Sequence, residues 1–340
     1  MDQHRVVAFS ERLLPLTEEE RRIEAEPNVE LRVAGLWSEE AIARAASDAA
    51  VLIVGSVEPL TGAVLRSLPQ CRLIVRRGVG YDNVDVQSAT ELGIAVAFTP
   101  GASVEEVSDH ALALLLVLER RVVVLDRAVR SGAWQHDPTT IASIRAPIRR
   151  LRSLTLGIVG LGQIGRALAL KAGPLVGRVI GSDPYLSHDE AGALGVELVS
   201  FEELLEISDL ISIHAPLTPE TRHMFDAQAF ARMRPTTGIV NTARGALVDH
   251  AALVDALAAG RIGGAALDVV DEEPLPEGHP LLDAPNVILT GHSAASSTSS
   301  TGELRRRTVD AALAALRGEV PPVLVDPSVV ERPAFRLAAR

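Results

Sequence analysis

Short apolar runs of strand length alternate with amphipathic helical stretches along nearly the whole chain. In the first hundred residues, Arg5–Phe9, Val29–Val33, Ala50–Val54, Leu73–Val75 and Ile94–Ala97 read as strands. Helical patterns at Ser38–Ala46 and Thr61–Leu68 fall between them. A second series starts near Leu154 with six candidate strands: Thr155–Val159, Arg178–Ser182, Leu210–Ile213, Gly238–Asn241, Gly264–Val269 and Val287–Leu289. Strands that alternate with helices predict parallel sheets covered on both faces, an α/β protein. Between the two series a helical pattern runs from Val104 to about Arg130, centred on the apolar run Ala111–Leu118. It is expected to be one long core helix buried between two domains. Ser293–Thr301 is a small-residue loop or helix start, Gly302–Leu316 a final helix, and the Pro-containing tail after Gly318 irregular.

Composition narrows this only a little. The 340 residues are enough for two domains with separate cores, and 47% hydrophobic with 23% charged residues is ordinary for a globular chain. A formal net charge of −11 argues against a general nucleic-acid or membrane-surface binder, since both want a basic face. No run reaches the roughly 18 apolar residues of a membrane span, and Val6–Phe9 is too short for a secretory core. A cytoplasmic protein is therefore expected. The single cysteine, Cys71, excludes an intramolecular disulfide and a cysteine-rich metal site; it precedes an apolar strand and is expected to be buried. No metal centre is expected.

The most specific chemical signal is Gly160-Leu-Gly-Gln-Ile-Gly165, which lies between the strand Thr155–Val159 and a helical run beginning Arg166-Ala-Leu-Ala-Leu. The next strand ends in a carboxylate, Asp183, about 20 residues on, which completes a dinucleotide-binding context. Gly160, Gly162 and Gly165 permit the tight turn and close backbone approach. Gln163 and Ile164 open the helix whose N-terminus would hold a pyrophosphate. Asp183 would accept ribose hydroxyls and repel a 2′-phosphate, and its neighbours Ser182, Pro184 and Tyr185 offer no cation. NAD(H) is favoured over NADP(H). Asp183 before Pro184 also reads as a turn cap, and the two roles are compatible.

Three later motifs fall at strand ends, where open α/β sheets bind ligands. They are Val240-Asn-Thr-Ala-Arg-Gly245, Ala266-Leu-Asp-Val-Val-Asp-Glu-Glu-Pro274 and Val287-Ile-Leu-Thr-Gly-His292. Singly they read as a surface arginine, a solvated acidic turn and a structural histidine. Together they supply what hydride exchange with a carbonyl needs. A histidine can give and take the proton, a carboxylate can orient it, and an arginine fork can hold a substrate carboxylate and polarise the adjacent carbonyl.

With these motifs the chain resembles the D-isomer-specific 2-hydroxyacid dehydrogenase family. The resemblance extends to Arg77-Gly-Val-Gly-Tyr-Asp-Asn-Val-Asp85, Gly93–Gly101, His214-Ala-Pro-Leu-Thr-Pro-Glu-Thr221 and Val248–Leu267. Pro147–Arg152 and Leu316-Arg-Gly-Glu-Val-Pro also resemble the C-terminal binding proteins, transcriptional co-repressors that keep the dehydrogenase fold. The resemblance implies two Rossmann-like or flavodoxin-like doubly wound parallel-sheet domains with a cleft between them that closes on the substrate. Residues 1–102, completed by 296–340, would form the substrate-binding domain, and 103–295 the NAD-binding Rossmann domain.

By the same resemblance Arg244 clamps the 2-keto acid, His292 is the acid/base and Glu273 its carboxylate partner. The Val79 and Gly80 amides would bind the substrate carboxylate, with help from Arg77. Pro216, Thr221, Thr242 and Ala243 would line the cofactor, and Asp268 would face the nicotinamide. The implied activity is reversible hydride transfer between NADH and a 2-keto acid, either hydroxypyruvate- or glyoxylate-like or larger, in a homodimer. The alternative is an NAD(H)-sensing, co-repressor-like protein with little turnover. The chain departs from the family where relatives commonly have Asn (here Phe98) and Pro (here Gly291). Ser293-Ala-Ala-Ser-Ser follows His292, so Ala295 and Ser296 would widen the pocket unless Phe98 refills it. The chain is also expected to end before the extra regulatory domain of some phosphoglycerate dehydrogenases.

Overall fold

The computed structural model describes residues 5–337. The chain divides into two compact units, one made of residues 1–102 and 297–340 and the other of residues 103–296.

The first unit is built on five parallel strands, β1 (Arg5–Ser10), β2 (Val29–Ala34), β3 (Ala49–Val54), β4 (Leu73–Arg76) and β5 (Ala95–Ala97), in the order β2-β1-β3-β4-β5. Successive strand residues point to opposite faces, so each apolar run feeds two cores. Val7, Phe9, Val51, Ile53, Leu73 and Val75 pack on Ile23 and on Val309, Ala312, Leu313 and Leu316 of the C-terminal helix. Val6, Ala8, Leu52, Val54 and Ile74 pack instead on Ile42, Val64, Leu65 and Leu68 from the crossover helices. Each fully buried aliphatic side chain contributes about 1.5–3 kcal/mol. That is why the central strand β3 is uninterruptedly apolar. Cys71 is buried in the second of these cores, and burial pushes its thiol up to about 12.

The second unit has seven parallel strands: β6 (Thr155–Val159), β7 (Arg178–Ser182), β8 (Glu197–Leu198), β9 (Leu210–Ile213), β10 (Gly238–Asn241), β11 (Gly264–Leu267) and β12 (Val287–Leu289). Their order, β12-β11-β10-β9-β6-β7-β8, reverses direction between β6 and β9. In such sheets the crevice at that reversal, beyond the strands' carboxyl ends, is where ligands bind. One face of the sheet packs on helices Val104–Glu119 and Gln163–Ala172 through Ala111, Leu114, Leu115, Leu168 and Ala169. The other face packs on Phe230, Leu253 and Leu257.

Three features differ from the sequence expectation. The single helix expected over Val104–Arg130 is two, Val104–Glu119 and Val122–Arg130, broken where Arg121 takes φ +53°. The break follows Glu119, a buried carboxylate held by the Arg149 backbone N–H at 2.8 Å and by its guanidinium at 2.7 Å. The first helix sits in the core of the second unit, whereas only Ala128 of the second helix is buried. The sheet has a seventh strand, β8, a two-residue edge piece with no apolar alternation to reveal it. The final helix begins at Thr298, where Ser297 and Ser300 form a capping box. The tail after Gly318 is mostly irregular, with a 3-10 turn at Pro327–Glu331 and a bridge from Leu324 to Ala97.

Candidate active site

The loop after β6 shows why three glycines are spaced as they are. Gly160 has φ +90°, and a Cβ there would lie 2.6 Å from the Ala215 nitrogen, in the chain leaving β9. At Gly165 a Cβ would sit 2.1 Å from the Gly160 carbonyl oxygen, so the helix can reach the turn only without a side chain. Gly162 differs, because a Cβ there would meet no protein atom within 4 Å. It borders open space at the N-terminus of helix Gln163–Ala172. The Arg166 amide makes the bond back to the Gly162 carbonyl at 3.0 Å, so the Gln163 and Ile164 N–H groups come before the helical ladder. Open approach and unpaired N–H groups suit a pyrophosphate.

Asp183 leaves β7 and reaches back to this loop. One oxygen accepts the Leu161 N–H at 2.7 Å and the other the Tyr185 N–H at 2.9 Å. Each carboxylate oxygen keeps a further lone pair, so the residue that fixes the glycine turn can still accept ribose hydroxyls. The residues present therefore fit a dinucleotide.

The loop after β9 carries His214, Pro216 and Thr221. The Thr221 hydroxyl donates to the Pro216 carbonyl at 2.7 Å and accepts the Thr218 amide at 2.8 Å, locking the loop in one path. His214 is pushed down to about 4 by burial, and its Nε2 lies 2.9 Å from the Ser212 hydroxyl. Thr242 follows β10 with its hydroxyl buried and without a protein partner, and Ala243 packs against the core.

β10, β11 and β12 are neighbours, and their carboxyl ends bring the three motif residues to one edge. Arg244 is positioned by Asn241, whose side-chain amide donates to the Arg244 carbonyl at 2.8 Å and whose oxygen accepts the Ala243 N–H at 3.0 Å. The Arg244 guanidinium donates to the Ala243 carbonyl at 2.7 Å. A Cβ on Gly245 would lie 1.9 Å from the Val270 carbonyl carbon, so only glycine lets the Arg244 turn press against the loop that carries Glu273. Glu273 is oriented by the Val270 N–H at 3.1 Å and sits 2.6 Å from His292 Nδ1. The imidazole is 37% exposed and the carboxylate 23%, an accessible pair. With Nδ1 engaged by the carboxylate, Nε2 is the nitrogen available to a substrate oxygen.

His292 has φ +54° and Gly291 φ +60°, two successive left-handed residues. A proline, whose φ is fixed near −65°, could not adopt the Gly291 conformation. Asp268 stabilises this bend. Its carbonyl accepts the His292 N–H at 2.6 Å, and its carboxylate accepts the Ser293 N–H at 2.9 Å, the Ala294 N–H at 3.0 Å and the Thr290 hydroxyl at 2.6 Å. His110, from helix Val104–Glu119, lies 3.0 Å from that hydroxyl. Asp268 thus braces the histidine loop. Thr290, Ser293 and His110 escaped the sequence reading. The one signal for them was the hydroxyl residues flanking Gly291-His292.

In the first unit, Arg77, Val79 and Gly80 follow β4. The loop is fixed by Thr99, whose hydroxyl accepts the Gly78 N–H at 2.9 Å and whose amide donates to the Gly78 carbonyl at 3.0 Å. Among the described residues, neither the Val79 nor the Gly80 amide meets a backbone acceptor. Phe98 stacks edge-on against Tyr81, with ring centroids 5.6 Å apart.

A doubly wound sheet with a dinucleotide loop at its reversal point, and Arg, Glu and His on three adjacent strand ends, defines an NAD-dependent oxidoreductase. The chain belongs to the D-isomer-specific 2-hydroxyacid dehydrogenase family, because residues 112–294 match that family's NAD-binding domain. It is 40% identical over 302 residues to a glyoxylate reductase of Korarchaeum cryptofilum, covering 87% of this chain and 90% of the relative. It is 37% identical to a D-3-phosphoglycerate dehydrogenase of Mycobacterium leprae over 84% of this chain, but that match spans only 53% of the relative's length. The fold matches D-lactate dehydrogenase from Aquifex aeolicus, solved with NAD and lactic acid, at a TM-score of 0.83 and 28% identity, over 94% of this chain and 98% of that one. Its cofactor is NAD(H).

Proposed function

We propose that the protein reduces a 2-keto acid to the D-2-hydroxy acid, with His292 as the acid/base and Glu273 as its partner. The observation that carries this reading is the 2.6 Å contact between His292 Nδ1 and Glu273, which leaves Nε2 to face a substrate oxygen. In the bound state NADH supplies the hydride. The Gln163 and Ile164 amides and Gly162 would hold its pyrophosphate, Asp183 would hold the adenosine ribose, and Pro216, Thr221, Thr242, Ala243 and Asp268 would line the nicotinamide half. Protonated His292 gives its Nε2 proton to the keto oxygen as the carbonyl carbon is reduced, and it takes that proton back in the reverse direction. Glu273 stabilises the imidazolium and keeps the ring from rotating. The Arg244 fork grips the substrate carboxylate and polarises the carbonyl. The Val79 and Gly80 amides offer further donors to that carboxylate, and Arg77 lies beside them.

We extend the reading to a cytoplasmic homodimer. The second unit supports it with a groove of about 520 Å³ bordered by Val117, Val123, Val124 and Leu289 and also by Arg121 and Arg127. Val122, Val129 and Trp134 are exposed on the same unit. Exposed apolar area of this kind marks association surfaces, and light scattering at micromolar concentration gives the mass directly.

The test of activity is NADH oxidation with 2-keto acids graded in size from glyoxylate through hydroxypyruvate to phenylpyruvate, with NADPH in parallel. Saturable turnover on at least one acid, with NADH preferred, is the expected result. Tight NADH binding without turnover on any acid would refute it and favour a sensor that binds cofactor without consuming it.

A further inference from the structure

Helix Val104–Glu119 is held firmly on both sides of His110. On the N-terminal side, Lys171 donates to the Ser108 hydroxyl at 2.8 Å and to the Asp109 carboxylate at 2.7 Å. On the C-terminal side, Ala111, Leu114 and Leu115 pack into the core of the second unit. His110 is not itself a core residue, since its side chain is 25% exposed. Its ring reaches the chain leaving β12, with Nε2 3.0 Å from the Thr290 hydroxyl and 3.6 Å from the Asp268 carboxylate. All of these residues belong to the second unit, as do Glu273 and His292.

The polarity of that contact follows from what Asp268 already accepts. A threonine hydroxyl has one proton to give and lone pairs with which to accept. The Thr290 hydroxyl lies 2.6 Å from Asp268 Oδ1, and the same carboxylate takes the Ser293 N–H at 2.9 Å and the Ala294 N–H at 3.0 Å. The hydroxyl proton therefore points at Asp268. His110 can bond to that oxygen only by donating a proton from Nε2. The other neutral tautomer, with Nε2 bare, would compete with Asp268 for the hydroxyl proton and loosen the bracket.

Thr290 stands immediately before Gly291 and His292, the two left-handed residues of the bend. A tilt at Thr290 is passed directly to the imidazole that Glu273 orients. The Asp268 bonds and the bond from the Ser293 hydroxyl to the Thr290 carbonyl, at 2.6 Å, all arise from the ends of β11 and β12 and the loops that follow them. His110 adds a hold from a separate, firmly packed helix, and such outside support is what keeps a reacting side chain in its productive geometry.

We propose that His110 is a positioning residue for the reduction: its Nε2–H, through the Thr290 hydroxyl, steadies Asp268 and so sets the angle at which His292 meets the substrate oxygen. This rests on the His292 acid/base reading above. The chain of bonds reaches His292 at its backbone N–H, which the Asp268 carbonyl accepts. His110 thus sets the position of the ring and does not relay its proton.

The test is a set of variants read by kcat, KM, NADH affinity and Tm on the best 2-keto acid. His110→Leu keeps the bulk and removes the donor. It should lower kcat about tenfold, the worth of one hydrogen bond, with KM and NADH affinity within about threefold of wild type. His110→Gln, whose side-chain amide can still donate, should recover most of that loss. Thr290→Val removes the link, so adding His110→Leu to it should cost no further activity. Wild-type kcat in His110→Leu, equal losses in the Leu and Gln variants, or losses that multiply in the double variant would overturn the proposal. So would a fall in NADH affinity and Tm in step with kcat, which is how a purely structural histidine behaves. The imidazole nitrogen chemical shifts of His110, assigned by difference from His110→Gln, test it without turnover and without a variant that must retain activity. A proton on Nε2 is expected, and a neutral ring protonated at Nδ1 alone would overturn the proposal while leaving the dehydrogenase reading in place. No turnover of the wild type on any 2-keto acid would instead fail the acid/base reading, and the positioning role with it.

Discussion

Replacing Asp268 with Asn changes no volume but reverses one hydrogen bond, and its consequence can be worked from the geometry. The Asp268 side chain is 1% exposed and accepts three good hydrogen bonds, from the Thr290 hydroxyl and the Ser293 and Ala294 amides. An Asn oxygen can keep Thr290 and Ser293, but its NH2 then meets the Ala294 N–H donor to donor. A buried N–H left unpaired costs about 1–3 kcal/mol, and loss of charge roughly halves the strength of the remaining bonds. A total near 3 kcal/mol falls on the bend that holds His292 at φ +54°. If all of it loosens the imidazole, kcat falls by about 100-fold, since each 1.4 kcal/mol is tenfold. The assay pairs steady-state kcat with NADH affinity measured by fluorescence quenching. A loop-bracing role predicts a 10- to 100-fold loss in kcat with NADH affinity within about threefold of wild type. Wild-type kcat, or a loss confined to NADH affinity, would refute the bracing argument and leave Asp268 with the nicotinamide contact alone.

Four further outcomes follow from the same geometry. Gly160→Ala places a Cβ 2.6 Å from the Ala215 nitrogen at φ +90° and should cost at least about 2 kcal/mol of stability along with NADH binding. Gly162→Ala meets no protein atom, so it should melt close to wild type and lose NADH affinity alone; equal melting losses in the two variants would contradict the assignment of Gly162 to the pyrophosphate. Asp183→Asn should raise NADPH turnover relative to NADH, because the repulsion of a 2′-phosphate disappears, and an unchanged cofactor ratio would count against the ribose role. His214 should make stability pH-dependent. Burial depresses it from 6.5 to about 4, so the folded chain prefers the neutral ring and stability is full above about pH 6.5. Between there and about pH 4 the unfolded chain binds a proton that the native state does not, a loss of up to about 3 kcal/mol. Urea melts across that range should show the loss, and His214→Gln should flatten it.

What was legible in the sequence follows the range of the interactions concerned. The glycine turn, Asp183 and the alternating strands depend on local backbone geometry and on period-two burial, both visible in a short window. The motifs holding Arg244, Glu273 and His292 could each be located, although a linear chain does not show that three adjacent strands carry them to one edge. The helix break at Arg121 was hidden: it adjoins Glu119, whose partner Arg149 is 30 residues away. Strand β8 is two residues long and forms only because β7 offers it an edge. The same holds for His110 against Thr290, 180 residues apart, and for Arg305 against Glu20, 285 apart. Contacts of that span have no signature until the fold brings them together.

The central claim is that His292, oriented by Glu273, moves the proton while the glycine loop after β6 independently holds the cofactor. The most direct measurement is turnover and NADH affinity of His292→Ala beside wild type, on the best 2-keto acid. The account predicts kcat lower by at least about 100-fold with NADH affinity nearly unchanged. Retained turnover, or loss of NADH binding in step with activity, would contradict it.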